Sequence, residues 1–327
     1  MSFFGNLTRT FAVVLFIGLS ILLEGCNKPP EKTLRLGGNI WVGYETLHLA
    51  QKLGYYDDLA LKLVEMPSAT DVMHAFRHHM LELAALTLDE ALSLKQTDDD
   101  IQITLVFDFS QGADILLGQP EIKSLAQLKN KKVGVENTAV GAILLDSALT
   151  EAQLTPADIK IIPLTANEHQ QAFNTHQIDA VVTFEPIKSK LLAQGANNLF
   201  DSRHIPNRIV DVLVVRKDIA NQHPEVIRKL LSGYFKALDY LHAHPTQAIE
   251  KIAPRMQLSS DRVAKQYDGI KIPSRIENIA LLRHDQALLS PTVQKLLDFM
   301  LKKKLLYRDV SLQNFLNGQF LSKDAEP

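Results

Sequence analysis

Cysteine is nearly absent from this chain of 327 residues, because Cys26 is the only one. A single cysteine excludes an intramolecular disulfide and leaves no cysteine-based metal site. Tryptophan also occurs once, and the 35 basic and 37 acidic side chains nearly cancel to a net charge of −2. That balance lacks the clustered basic excess of nucleic-acid-binding proteins, so we expect no nucleic-acid partner.

Apolar runs long enough to span a membrane, about 20 residues, are also missing. The amino-terminal run, residues 11–23 (FAVVLFIGLSILL), is shorter and follows a segment that carries one positive charge, Arg9. A basic start, a short apolar stretch and a small residue before the cleavage point are typical of a secretory signal peptide. We therefore predict a signal peptide over residues 1–25.

The end of that segment, Leu23-Glu24-Gly25-Cys26, resembles the lipobox of bacterial lipoproteins. The resemblance implies that Cys26 carries the lipid, with acyl chains such as palmitate, and begins the mature chain. Two or three acyl chains suffice for stable attachment to a membrane, and residues 26–33 would form a polar tether. We expect the protein on the periplasmic side of the envelope, anchored to the inner or the outer membrane. The alternative is an ordinary signal peptide with a chance cysteine.

The rest of the chain alternates between short apolar runs and amphipathic stretches. Predicted strands begin near residues 34, 61, 83, 101, 132, 159, 180 and 209. Helices are predicted between them, one of them capped by Asp71, and the chain is mainly helical after Pro224. Alternating strands and helices indicate parallel sheets covered by helices. Ligands of such sheets bind where the strands end, so the residues just after each strand are the candidates.

Three segments occur in the order of one known family. They are residues 39–45 (NIWVGYE) with 54–56 (GYY), residues 124–135 (SLAQLKNKKVGV) and residues 179–186 (DAVVTFEP). Together they resemble the solute-binding proteins of ABC importers that bind nitrate, sulfonates, taurine and thiamine-precursor pyrimidines. In the middle segment Gln127 and Asn130 replace the Asp and Gly that are usual in the family.

The resemblance implies the type II periplasmic-binding-protein fold. Each of two α/β lobes would hold a mainly parallel sheet flanked by helices, and a hinge of two crossovers would join them. Lobe 1 would comprise residues 34–112 and 212–322, and lobe 2 residues 113–211. Such proteins close on a small molecule by hinge motion. We expect a monomer without a cofactor, which delivers its ligand to an ABC permease of the inner membrane.

The candidate ligand-binding residues follow the strands of both lobes. In lobe 1 they are Trp41, Tyr44, Glu45, Thr87, Asp89, Asp108 and Ser110, and in lobe 2 they are Glu136, Asn137, Thr138, Phe184 and Glu185. Asn137 and Thr138 open a predicted helix, whose N–H groups could hold an anion. The two residues could equally serve only as helix caps. Trp41 is either a ligand platform or a core residue.

Charge discriminates between possible ligands. The acids after predicted strands are Glu45, Asp89, Asp108, Asp114, Glu136, Glu185 and Asp211, and no lysine or arginine occupies these positions. Anion sites need cations or several N–H donors, whereas buried carboxylates are costly unless paired. We therefore predict a cationic or amine-bearing ligand, such as an aminopyrimidine or a taurine-like zwitterion. Arg203 and Arg208 are the alternative, as counter-charges that reach the cleft.

Three functional readings remain open at this point. The first is a binding protein for an importer, and the second is a binding protein that reports to a membrane sensor. The third is an enzyme similar to the eukaryotic pyrimidine synthase of the same fold family, which requires a cysteine-rich iron motif that is absent here. A zinc site on His74 and His78, four residues apart on a predicted helix, lacks further ligands. We expect neither a metal nor catalysis.

Overall fold

The computed structural model describes residues 32–283 and 286–321, so Cys26 and the predicted signal peptide lie outside the described residues. In chain order the strands are β1 (Leu34–Gly38), β2 (Leu61–Glu65), β3 (Leu83–Thr87), β4 (Ile101–Ser110), β5 (Ile115–Gly118), β6 (Lys132–Val135), β7 (Lys160–Pro163), β8 (Ala180–Thr183), β9 (Asn197–Asp201), β10 (Val210–Arg216) and β11 (Ile270–Lys271).

The α-helices of the same part of the chain are α1 (Glu45–Lys52), α2 (Ala69–Arg77), α3 (Leu88–Lys95), α4 (Ala139–Glu151), α5 (Ala166–Asn174), α6 (Ile187–Leu192), α7 (Lys217–Gln222), α8 (Pro224–Ala243), α9 (Pro245–Met256), α10 (Ser260–Gln266), α11 (Arg275–Leu282) and α12 (Ser290–Lys302). Among the described residues, no helix combines the length and the apolar character that crossing a membrane requires.

The strands of the described residues form two sheets. The first has six strands in the order β11-β4-β10-β3-β1-β2, and the second has five in the order β7-β6-β8-β5-β9. The chain leaves the first sheet after β4 and returns after β9, so two connections cross between the sheets. Helices pack on both sheets. The predicted α/β architecture of two helix-flanked sheets is confirmed.

Parallel and antiparallel pairs occur together in both sheets, so neither sheet is mainly parallel as predicted. β1 pairs parallel with β2 and β3, and β6 pairs parallel with β7 and β8. β5 pairs antiparallel with β8 and β9, and β10 pairs antiparallel with β3 and β4. The antiparallel strands adjoin the crossings between sheets, so they do not belong to the strand–helix–strand units that make neighbours parallel.

The sequence located most elements well. All eight predicted strands begin within one residue of an observed strand, and the helix predicted from residue 139 extends to Glu151. Three strands were missed, namely β5 (ILLG), β9 (NNLFD) and β11 (IK), because β5 and β11 are too short and β9 is too polar to show a strand period. The predicted Asp71 cap is wrong. Ser68 is the N-cap of α2, and its Oγ accepts a hydrogen bond from the backbone N–H of Asp71 at 3.1 Å.

The outer edge of β4 is covered mainly by groups that are not strands, because β11 has only two residues. Ile103 N–H donates to the Phe315 carbonyl at 2.7 Å. Farther along, Asn278 of α11 accepts from the Val106 N–H at 2.7 Å and donates to the Val106 carbonyl at 3.1 Å. This buried side chain replaces a neighbouring strand, since unpaired buried backbone groups are costly.

Replacing Asn278 with alanine should therefore destabilise the protein. Asn278→Ala leaves the N–H and the carbonyl of Val106 without partners, so we expect the free energy of unfolding to fall by roughly 2–4 kcal/mol. Urea denaturation measures the loss. Ile276→Ala, at a position of the same helix whose side chain is 73% exposed, is the matched control and should change stability by about 0.5 kcal/mol or less. An equal loss in both variants would show that β4 does not depend on Asn278.

Candidate functional site

A small cavity lies where strands of both sheets end, and we call it the inner pocket. Its volume is about 30 Å³, on the order of two water molecules. The residues that line it are Asn39, Trp41, Tyr44, Ala69, Thr87, Glu90, Asp114, Glu136, Val140, Phe184 and Asp211. Some belong to the first sheet and its helices, and others follow β6 and β8 of the second sheet. A ligand group in this pocket would therefore contact both.

Three polar side chains form a row across the floor of the first sheet. Asp211 of β10 pairs with Thr87 of β3 on one side and with Asp108 of β4 on the other. Directly opposite residues of antiparallel strands have Cβ atoms about 4.5–5.5 Å apart. The β4–β10 ladder shifts register between Asp211 and Val212, which is a bulge beside the site. Bulges of this kind redirect side chains next to binding sites.

A short turn above this row holds two of the carboxylates. Trp41 Nε1 donates to Asp108 Oδ2 at 2.9 Å, and the Tyr44 hydroxyl donates to Asp211 Oδ1 at 2.5 Å. Between the two aromatic residues, a Cβ on Gly43 would lie 1.7 Å from Asp108 Oδ2. Only glycine fits there, so the Trp-Val-Gly-Tyr segment is shaped to bring its two aromatic donors onto the acids.

The second oxygens of Asp108 and Asp211, and one oxygen of Asp114, lack hydrogen-bond donors among the described residues. Asp108 Oδ1, Asp114 Oδ2 and Asp211 Oδ2 are shielded from solvent and have no hydrogen-bond partner in the part of the chain that the structure describes. The three residues are 0%, 7% and 3% exposed. Because a buried polar group without a partner costs free energy, the arrangement favours a ligand that brings N–H donors to this pocket.

Burial raises the pKa of the acids around the inner pocket. The pKa of Asp89 and of Asp108 rises to about 7 and that of Asp114 to about 6. Burial, followed by the charges of neighbouring carboxylates, raises the pKa of Asp211 and of Glu90 well above the ordinary range. Close carboxylates in a region of low dielectric cannot all ionise without a cation.

Lys188 of α6 is a cation close to these acids. Its Nζ lies 3.1 Å from Glu185 Oε1, and its charge lowers the pKa of Asp114, opposing the larger effect of burial. Glu185 is buried and also accepts from the Ser189 N–H at 3.1 Å. Since Lys188 is already paired with Glu185, it leaves the other carboxylates largely uncompensated.

Two aromatic rings from different sheets meet at the inner pocket. Trp41 follows β1 of the first sheet, and Phe184 follows β8 of the second. Their ring centroids are 5.9 Å apart and their planes are inclined by 79°. Edge-to-face pairs of this kind contribute about 0.5–1.5 kcal/mol beyond burial. The pair therefore links the two sheets beside the acids.

A polar contact links the sheets on the other side of the pocket. Glu136 Oε1 accepts from the Thr70 N–H at 3.1 Å and from the Thr70 hydroxyl at 2.7 Å. Glu136 also lines a separate groove of about 530 Å³ that includes Asn137, Thr138 and Arg77. Thr138 is the N-cap of α4, and its buried Oγ1 has no partner among the described residues. Asn137 and Thr138, at the predicted helix start, thus line this groove, whereas Val140 of the same helix lines the inner pocket.

Five other predicted site residues lie outside the lining of the inner pocket, namely Glu45, Asp89, Asp108, Ser110 and Glu185. Glu45 is fully buried but forms an ion pair with Arg255 at 2.7 Å. Ser110 Oγ lies 2.7 Å from Ser202 Oγ, which joins the two crossings between the sheets. Asp89 is fully buried at the start of α3, and its pKa responds to the charge of Asp114.

The two arginines considered as counter-charges are engaged elsewhere. Arg203 forms an ion pair with Asp201 at 2.6 Å, and its side chain is 67% exposed. The guanidinium of Arg208 lies 6.0 Å from the centroid of the Phe299 ring. Within residues 32–283 and 286–321, no lysine or arginine lines the inner pocket.

Several lining residues were not among the predicted site residues, namely Asn39, Ala69, Glu90, Asp114, Val140 and Asp211. Asp114 and Asp211 were visible as acids next to strands, but the register that turns them toward the pocket is not. Ala69 and Val140 line it with the first turns of α2 and α4. Glu90 looks like half of a capping box with Thr87, so its second contact, with the pocket, has no signal in the sequence.

Comparison with known proteins identifies the family. A model of the NMT1-like family matches residues 27–257. This chain belongs to the NMT1-like family. The predicted resemblance to ABC solute-binding proteins is thereby confirmed for the fold and the family. An Escherichia coli (strain K12) protein named as an aliphatic sulfonates-binding protein is 23% identical over 263 residues, 79% of this chain and 82% of that protein.

A second relative matches over a shorter stretch. A Brucella abortus (strain 2308) protein named as a binding protein is 25% identical over 179 residues, 52% of this chain and 55% of that protein. The chain thus spans about half the length of this relative.

This chain shares its fold with the solved structures of a binding protein and of an enzyme. The alkanesulfonate-binding protein SsuA from Xanthomonas axonopodis pv. citri, solved bound to MOPS, has a TM-score of 0.71 at 17% identity, covering 85% of this chain and 95% of that chain. The desulfurization enzyme DSZB has a TM-score of 0.66 at 15% identity, covering 89% and 98%. At such identities the likeness establishes the fold, and function follows from the site.

The raised pKa values of the buried acids make the stability of the ligand-free protein depend on pH. The acids concerned are Asp89, Glu90, Asp108, Asp114 and Asp211. Their folded-state pKa values lie above the value of about 4 expected in the unfolded chain. Their contribution is therefore fully present below about pH 4 and is lost as pH rises through the folded pKa. We expect the free energy of unfolding, measured by urea denaturation, to fall between pH 5 and pH 8.

Asp211→Asn removes one of these ionisations and should reduce the slope by up to about 1.4 kcal/mol per pH unit. Asp239→Asn, at an exposed position of α8, should keep the wild-type slope. Stability that rises with pH in the wild-type protein over this range would contradict the account.

Proposed function

We propose that the protein is an extracytoplasmic solute-binding protein for a small molecule that carries an amino or protonated nitrogen group. The observation that supports this most strongly is the charge around the inner pocket. Seven buried acids act on one another there, and Lys188 is already paired. The acids are Asp89, Glu90, Asp108, Asp114, Glu136, Glu185 and Asp211.

The type of nitrogen group follows from the unpartnered oxygens. Asp114 and Asp211 each present one buried oxygen that has no donor within the described part of the chain. A primary ammonium or a protonated aminopyrimidine supplies both positive charge and N–H donors, and such charge-assisted hydrogen bonds are the stronger kind. A quaternary ammonium supplies only the charge. The pocket therefore favours nitrogen groups that retain hydrogens.

A sulfonate is the second candidate, and two observations favour it. One relative is named as binding aliphatic sulfonates. In addition, the neighbouring groove has the start of α4, the unpartnered Thr138 Oγ1 and Arg77, a combination suited to an anion. A taurine-like zwitterion reconciles both, with its ammonium in the inner pocket and its sulfonate at α4. A sulfonate without an amine leaves the acids uncompensated.

Capture would follow from closure of two lobes. The first comprises residues 34–112 and 212–322 and the second residues 113–211, with the two crossings, joined by Ser110 and Ser202, as the hinge. A ligand that contacts both lobes favours the closed state, because it binds that state better than the open one. Trp41 and Phe184 would report this closure, since they approach from different lobes.

Delivery to the permease of an ABC importer is the proposed biological step. The protein would work as a monomer on the periplasmic side of the envelope, held to a membrane by a lipid on Cys26. A role in reporting to a membrane sensor uses the same capture chemistry. Pull-down of a permease or of a receptor from envelope extracts distinguishes these two roles. Catalysis is not proposed, because relatives at the sequence level are named as binding proteins.

Isothermal titration with a matched panel tests the ligand class. We expect tight binding of an aminomethyl-aminopyrimidine or of taurine, and little binding of nitrate or methanesulfonate. Asp114→Asn should weaken amine binding about 10- to 100-fold, because it removes a charge-assisted hydrogen bond. Asp239→Asn should leave it unchanged. Quenching or a shift of the fluorescence of Trp41, the sole tryptophan, should accompany binding. Tight binding of methanesulfonate, with no amine bound, would overturn the proposal.

A further inference from the structure

Asp108 and Asp211 form an unusual pair beneath the inner pocket. They lie directly opposite each other in the antiparallel ladder of β4 and β10, and both are buried. Each has one oxygen held by an aromatic donor, Trp41 for Asp108 and Tyr44 for Asp211. The other oxygen of each, Asp108 Oδ1 and Asp211 Oδ2, has no hydrogen-bond partner in the described chain. The two acids thus match in geometry as well as in charge.

The described groups that face the pair are aromatic or acidic. Trp41 and Tyr44 face it from the turn after β1, Glu90 from α3 and Asp114 from the first crossing. Tyr234 faces it from α8 and Tyr267 from the segment after α10. The largest effects of charge on the pKa of Asp211 come from acids, namely Asp108, Asp114 and Glu90. Two ionised carboxylates side by side would be strongly unfavourable here.

We propose that Asp108 and Asp211 hold one proton between their otherwise unpartnered oxygens, and that this proton leaves to solvent when a cationic ligand group occupies the inner pocket. In the free protein the pair is one carboxylic acid and one carboxylate joined by a hydrogen bond. On binding, the O–H bond breaks, the proton passes to buffer and the ligand N–H groups take its place. The pair changes from one negative charge to two as one positive charge arrives.

This role would make Asp211 a specificity-determining residue. A neutral molecule of the same shape cannot displace the proton, because the two carboxylates would then face each other without a cation. A cation can displace the proton, but its binding must then overcome the proton affinity of the pair. Because the proton is released more easily at higher pH, the affinity for the cation rises with pH. The release of the proton on binding rests on the proposed function, since it requires a cationic ligand. The shared proton in the free protein does not.

The shared proton is tested first in the ligand-free protein. Infrared spectra of protein labelled with ¹³C-aspartate should show the carbonyl band of a protonated aspartic acid that persists at pH 8. Asp211→Asn should lose that band, whereas Asp114→Asn should keep it. Labelling aspartate alone separates the pair from Glu90, whose pKa burial also raises. Absence of a protonated aspartate at pH 8 in the wild-type protein would overturn the proposal, whatever ligand the protein binds.

Proton release is then measured by titrating the aminomethyl-aminopyrimidine at pH 8 in buffers of different ionisation enthalpy. Wild-type protein and the control variant Asp239→Asn, at an exposed position, should release one proton more than Asp211→Asn does. An equal release in all three would exclude the pair as the source. If no amine binds while the infrared band is present, the proposed ligand class fails and the shared proton stands. If amines bind while the infrared band is absent, the shared proton fails and the proposed ligand class stands.

Discussion

Carboxylates buried between two sheets are the constraint on which the rest of the site depends. A folded chain does not bury charge of one sign without a compensating device. Here the devices are local. A turn with a required glycine brings Trp41 and Tyr44 onto Asp108 and Asp211. The raised pKa values keep part of the charge off the protein. Among the described residues that line the pocket, Asp114 Oδ2 and Asp211 Oδ2 remain without a hydrogen-bond donor.

The same constraint explains why both sheets are needed. The first sheet provides the row of Thr87, Asp211 and Asp108, and the second closes it with Phe184 and Glu136. Several contacts join the two halves: the aromatic pair on one side, the hydrogen bonds from Thr70 to Glu136 on the other, and the ion pair of Lys303 with Asp146. A charged ligand that satisfies the acids adds to these contacts.

The sequence was sufficient for the architecture and for part of the site. Strand periods located eight of the eleven strands in the described part of the chain. The expectation that ligands bind where strands end identified five residues that line the pocket, namely Trp41, Tyr44, Thr87, Glu136 and Phe184. It also identified the acidic charge. The register of the strands could not be predicted from the sequence. The bulge in β4 and the antiparallel course of β10 decide that Asp211 faces Asp108. The pairing of Glu45 with Arg255 was likewise invisible, because 210 residues separate the two in the chain.

Native mass spectrometry of the protein, purified without denaturation, tests the central claim most directly. The mass of any molecule that co-purifies, followed by its chemical identification after release, gives the ligand class without a chosen panel. We expect a small molecule with a primary amine or a protonated ring nitrogen, which is lost more readily when the sample is acidified. An alkanesulfonate or another anion without a basic nitrogen would contradict it.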